Sequence, residues 1–265
     1  MRIAYRDQTG PLAIAHRGGA GLAAENTLEA FRRAHALGYR CLETDVRITK
    51  DGQLVAFHDA TLRRVTGASG KVAARTLDEV TALPVFGCET VVPLATVLET
   101  FPTSRFIIDV KDRAAIEPLA QLLRESGAAH RVCAAGAWDS WLTQLRDRTG
   151  PALTTAMSWR ALTRLVTSSR ATRRINVDET SGRYAHVPLR LGKVRVFADD
   201  LVHRAHDIGA RVIVWTVNEP ATMHRLLDAG VDGVITDRPD LLREVLIARG
   251  QWHAPDTDRG AVGVI

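Results

Sequence analysis

The sequence predicts an α/β protein, a (β/α)8 barrel with a small insertion after its second strand, and three observations carry that prediction. Short apolar runs alternate with amphipathic segments along nearly the whole chain, the pattern of parallel strands joined by helices. The 265 residues are 46% hydrophobic, enough for one large core. Such a barrel takes about 250 residues. Residues able to do chemistry lie at the ends of the apolar runs, where barrel enzymes keep their sites.

The elements follow in order. Leu12-Ala13-Ile14-Ala15 is the first strand, and it delivers His16 and Arg17 at its C-terminal end. In residues 27–37, Leu28, Phe31, Ala34 and Leu37 recur at helical spacing, with Thr27 as N-cap and Gly38 as stop. Residues 41–46 form the second strand, on which Glu43 and Asp45, two apart, share a face. Residues 106–111 repeat that pattern with Asp109 and Lys111. Then come a helix at 114–126, a strand at 131–135, a helix at 138–148, a strand at 153–157 and a helix at 159–167. The sixth strand falls somewhere in 174–188, where the periodicity blurs. A helix at 199–208, a strand at 211–216, a helix at 221–229, a strand at 233–236 and a helix at 241–249 complete the series. Residues 59–104, with Gly67, Gly70, Pro84, Gly87 and Pro93, are too long for a simple link. They are expected to lie over the barrel mouth, with helices at 77–83 and 94–101. The organisation expected is one catalytic domain over 1–250 and a tail at 251–265.

The chemistry concentrates early. His16, Arg17, Glu43, Asp45 and His58 fall in one strand–helix–strand unit and the segment after it, a set suited to metal-assisted chemistry on a phosphate. Two carboxylate charges about 4 Å apart repel by roughly 4 kcal/mol at an effective dielectric near 20, and a divalent cation removes that penalty. Glu43, Asp45 and Asp109 make an oxygen-rich site that suits Ca²⁺ or Mg²⁺ better than zinc.

The motifs His16-Arg17-Gly18, Glu25-Asn26-Thr27, Glu43-x-Asp45, Asp51-Gly52, His58-Asp59, Leu62-x-Arg64-x-Thr66-Gly67, Asp109-x-Lys111, Trp215-Thr216-Val217-Asn218 and 230–239 stand in one order and spacing. Together, over about residues 12–247, the chain resembles the glycerophosphodiester phosphodiesterases. The resemblance implies the (β/α)8 TIM barrel, with His16 and His58 as the acid/base pair, Arg17 and Lys111 on the substrate phosphate, and one divalent cation held by Glu43, Asp45 and Asp109. It implies hydrolysis of glycerophosphodiesters to sn-glycerol 3-phosphate and an alcohol, with water or the glycerol 2-hydroxyl attacking. Two positions depart from the family: Asp109 stands where Glu is commoner, one methylene shorter, and His186 replaces a Gln near Pro188.

Other residues carry plainer readings. Asn26, Asp59 and Thr66 are expected to hold loops, and Asp237 to cap the last helix. Trp215 serves the core or walls the pocket against the substrate. Gly18, Gly19 and Gly21 make a turn, since no phosphate-loop pattern follows the first strand. Two further functions stay open: a lysophospholipase D-like action, with Leu83, Val85, Phe86, Val91 and Val92 of the insertion either receiving the acyl chain or forming a small core of their own, and a barrel that binds phosphodiesters without turnover. No run reaches the roughly 18 apolar residues of a membrane span, and residues 1–9 have no secretory core, which favours the cytoplasm. Cys41, Cys88 and Cys133 are odd in number and suit reduced thiols. The net charge of +5 is mostly arginine; Arg170, Arg173, Arg174, Arg190 and Lys193 lack the interleaved aromatics of a nucleic-acid footprint, so none is expected. The partner expected is a small-molecule glycerophosphodiester; the sequence does not specify an oligomer.

Overall fold

Strand alternation builds the barrel. The computed structural model of the chain describes residues 4–6, 10–168, 183–191, 193–198 and 200–252. Strand β1 (Leu12–Ala15) lies between β2 (Cys41–Ile48) and β11 (Gly233–Thr236), all parallel. The ring continues on one side from β2 to β4 (Arg105–Val110), β5 (Val132–Gly136) and β6 (Thr154–Thr155). On the other side β11 pairs with β10 (Arg211–Trp215), which pairs with β7 (Tyr184–Pro188). A parallel bridge from Ala156 to Tyr184 joins the two ends, giving eight parallel strands in a nearly closed barrel. The sixth strand, blurred in sequence, is β7; residues 174–182 of the range assigned to it, Arg174 among them, and Arg170 and Arg173 lie outside the described residues.

Period two splits the apolar residues into two layers. Leu12, Ile14, Cys41, Ile107, Cys133, Tyr184, Ile213 and Ile235 point into the barrel. Tyr5 closes its bottom, its ring 5.0 Å from that of Tyr184 and its N–H donating to the His130 carbonyl. Leu42, Val46, Phe106, Ile108, Val212 and Val214 point outward to the helices. Those helices are α1 (Leu28–Ala36), α4 (Leu94–Thr100), α5 (Ile116–Glu125), α6 (Asp139–Thr149), α7 (Trp159–Ser168), α8 (Asp200–Asp207), α9 (Pro220–Asp228) and α10 (Pro239–Ala248). Thr27 caps α1 by accepting the Ala30 N–H at 3.3 Å, and Gly38 ends it at φ 97°.

After β2 the chain turns back as β3 (Leu54–Ala56), antiparallel to β2, then forms α2 (Arg63–Thr66) and α3 (Leu77–Thr81). This segment has its own small core of Val55, Phe57, Leu62, Val65, Val72, Val80, Val85 and Val91. Leu94, Val97 and Leu98 of α4 belong instead to the barrel's outer layer, so α4 is the helix that returns the chain to β4. A short hairpin of β8 (Arg190–Leu191) and β9 (Val194–Arg195), absent from the sequence expectation, follows β7. Among the described residues no helix is long and apolar enough to cross a membrane.

Candidate active site

His16, Arg17, Glu43, Asp45, His58, Asp109, Lys111 and Trp215 all line one cavity of about 340 Å³ at the C-terminal mouth of the barrel. The strand ends deliver them. His16 follows β1, Glu43 and Asp45 face inward from β2, and Asp45 lies level with Asp109 in the β2–β4 register. Glu43 and Asp45 are 5% and 1% exposed, so both carboxylates are taken out of water.

Each histidine is held by a carboxylate. His16 Nδ1 lies 2.6 Å from Asp237 Oδ1, and its Nε2 lies 3.9 Å from Glu43 Oε2. Burial opposes protonation of His16, but Glu43 and Asp237 outweigh it and hold the imidazole above its ordinary value. His58 Nδ1 lies 2.7 Å from Asp59 Oδ1. Arg64 donates to both Asp59 oxygens, at 2.6 and 3.0 Å, and holds the Asp59 carboxyl well below the usual carboxylate range. Arg64 also donates to both oxygens of Glu25, at 2.7 Å each, and Glu25 accepts from Arg17 Nη1 at 2.8 Å. One continuous network therefore runs from Arg17 to His58.

Arg17 has a left-handed backbone, φ 51°, which turns its own N–H onto Glu43 Oε2 at 2.8 Å. Its side-chain Nε lies 3.4 Å from Asp45 Oδ2. Asn26, also left-handed at φ 56°, donates to Asp45 Oδ2 at 3.1 Å and accepts from Thr44 Oγ1 at 2.8 Å. The Lys111 ammonium lies between Asp109, at 2.6 Å, and Asp45, at 3.0 Å. Burial raises Asp45, but Lys111 and Arg17 outweigh it and keep its carboxyl low. Glu43 has less help: burial and the neighbouring Asp45 push it up to about 7. His186 points into the same cavity with its Nε2 buried and without a partner, and burial lowers it to about 4, so it is neutral.

Several expectations change. Asp237 is not a helix cap: α10 has Arg238 at its N-cap with no side-chain cap bond, and Asp237 instead orients His16 and accepts from Asn218 Nδ2 at 2.8 Å. Asp59 and Asn26 hold site side chains, and only Thr66 of that trio bonds locally to backbone, at Leu62 and Ala68. Gly21 is small for a reason besides turning: a Cβ there would come within 2.5 Å of the Asp237 carbonyl. The insertion's apolar residues do not line the cavity. Val85 and Val91 fill the insertion's own core with Leu83 against it, Val92 joins the barrel layer and Phe86 is exposed. The apolar wall comes instead from Trp138, Trp141, Met157, Trp159 and Leu162, which sequence reasoning assigned no role. Trp215 lines the cavity and packs against the barrel's inner layer at once.

The donor set can be tested against the expected cation. Among the described residues no three His, Cys, Asp or Glu side chains stand in ready-made ion-holding geometry. The chemistry of the donors nevertheless fits a hard ion. Glu43 is a buried carboxylate whose charge its neighbours do not fully offset, and Asp45 and Asp109 lie level beside it.

A phosphoryl group calls for fixed cations near its oxygens and for proton donors and acceptors near its ester bonds, and this mouth supplies both, so fold and site define a barrel hydrolase of phosphoric esters. The model of the glycerophosphoryl diester phosphodiesterase family matches residues 16–241, and the chain belongs to that family. It is 37% identical to a probable glycerophosphodiester phosphodiesterase 2 of Mycobacterium tuberculosis, over 92% of this chain and 93% of that one. In fold it is similar to a putative glycerophosphoryl diester phosphodiesterase from Silicibacter pomeroyi, with TM-score 0.77, 24% identity and coverage of 94% and 98%. It is similar also to an Oleispira antarctica phosphodiesterase in complex with the product sn-glycerol-3-phosphate, with TM-score 0.74, 22% identity and coverage of 90% and 97%.

Proposed function

We propose that the chain hydrolyses glycerophosphodiesters to sn-glycerol 3-phosphate and an alcohol, with His16 and His58 as the acid/base pair and one divalent cation. The observation that carries this reading is the matched state of the two imidazoles. Both face one cavity, and both have Nδ1 engaged by a carboxylate, which leaves Nε2 as the atom that exchanges a proton. The family to which the chain belongs and the product in the Oleispira antarctica protein support the substrate class.

Arg17 and Lys111 are the fixed cations that receive the phosphoryl oxygens. One imidazole takes the proton of the attacking hydroxyl, and the other gives a proton to the leaving alkoxide. Glu43, Asp45 and Asp109 would hold the cation, whose chemistry is neutralisation of the charge that builds on the phosphoryl oxygens. Ca²⁺ and Mg²⁺ both suit those oxygen donors.

The test is release of glycerol 3-phosphate from glycerophosphocholine by the purified chain. Chelation is expected to stop release and one of the two ions to restore it; release that continues after chelation overturns the metal requirement. His16→Ala and His58→Ala are each expected to lower turnover by about two to four orders of magnitude with an unchanged circular dichroism spectrum. An unchanged rate in either variant removes that histidine from the pair.

A further inference from the structure

The cavity has two unlike halves. Its ionisable residues come from the β1, β2 and β4 side and from His58, with His186 alone across the barrel. The lining contributed by residues 135–162 contains no ionisable side chain at all. Four of the chain's five tryptophans line the cavity, three of them in that half.

Such a wall suits glycerol and phosphate poorly. Both need several hydrogen-bond partners when they leave water, and here alanine and leucine offer none, methionine only a weak sulfur acceptor and each indole a single N–H donor. The wall also continues outward: Trp138 is 61% exposed and Trp159 37%, at the rim of a functional cleft, where bare aromatic surface marks a binding face. The Trp138 and Trp141 rings lean on each other, centroids 6.4 Å apart and planes at 51°, so they form a wall rather than flank a gap. With aliphatic Met157 and Leu162 beside them and no carboxylate, the wall suits a hydrocarbon chain better than a quaternary ammonium.

We propose that this half of the cavity is a subsite for one apolar chain attached to the phosphodiester, so that the enzyme favours singly alkylated or acylated diesters over chain-free ones. The proposal deepens, and rests on, the hydrolase reading above. The chain is carried either by the glycerol, as in a lysophospholipid, or by the leaving alcohol; the hydrocarbon is common to both. Its contact surface is the tryptophan wall and not the insertion.

Binding is measured first, without turnover. Alkylphosphocholines from butyl to decyl, held below their micelle concentrations, are titrated while tryptophan emission is followed. Each methylene that enters the wall is expected to tighten binding about threefold to fourfold, with a blue shift. Trp138→Ala and Trp159→Ala are expected to flatten that dependence. Binding that ignores chain length, or depends on it equally in parent and variants, overturns the subsite. Two substrate series then locate the chain: 1-acyl-glycerophosphocholines, and glycerophosphodiesters of n-alkanols. A rise of kcat/KM with chain length in one series supports the subsite and names the carrier, whereas flat series in both overturn it. Chain-dependent binding with no turnover of any substrate leaves the subsite standing and rejects the hydrolase reading.

Discussion

A carboxylate at Nδ1 holds each of the two cavity histidines, His16 and His58, in one orientation and favours one tautomer. Asp237 is the one that sequence reasoning misread. It stands at a strand's end before a helix that opens with Pro239, so it shows the signal of a helix cap and that of a strand-end site residue together. Glu43, Asp45 and Asp109 showed only the second signal and were legible from period two alone. The tryptophan wall was not, because aromatic residues at helix starts read equally as core. Asp237→Asn tests the assignment at this scale. It keeps the shape and removes the charge that holds His16, so kcat is expected to fall about tenfold to a thousandfold, with KM changed less than twofold. An unchanged kcat would show that other contacts hold the ring.

At the scale of elements, the helices and most strands were written in the sequence as apolar period, since each must present one face to the barrel. The elements that escaped are those too short to show a period. β3 has three residues, α2 four, and β8 and β9 two each. Yet α2 contributes directly to the site, because it presents Arg64, which ties Glu25 to Asp59 and so links Arg17 to His58. Its worth lies in position more than in stability: Arg64 is 44% exposed on its side chain, and exposed ion pairs contribute about 0–1 kcal/mol. Arg64→Met is therefore expected to lower kcat about tenfold while moving Tm by no more than about 3 °C. Measuring both separates the two roles. A large drop in Tm with kcat preserved would make α2 a structural clamp only.

The whole molecule is a barrel whose strands carry function at one end and packing at the other, and that division was legible because His16-Arg17, Glu43-x-Asp45, Asp109-x-Lys111 and Trp215 fell at or near the C-terminal ends of strands. What the sequence could not show was which side chains meet across the barrel. β7 lies diametrically opposite β2 in the ring, and that topology places His186 on the far wall from the carboxylates, paired in register with Ile213. Without a partner in this apolar surrounding, the ring is neutral, lowered by burial to about 4 against an ordinary value near 6.5. The sign of the consequence follows from proton counting. Between pH 6.5 and 4 the unfolded chain binds a proton here that the folded chain refuses, so stability is full above about pH 6.5 and falls as pH drops towards 4. The upper bound of that loss is roughly 3 kcal/mol. His186→Gln puts a neutral amide in the same place and removes the titration. Denaturant unfolding of parent and variant at pH 7.0, 5.5 and 4.5 is expected to show the parent losing stability faster on acidification. Parallel curves would mean that the folded protein admits the proton, with water or a neighbouring carboxylate reaching His186 Nε2.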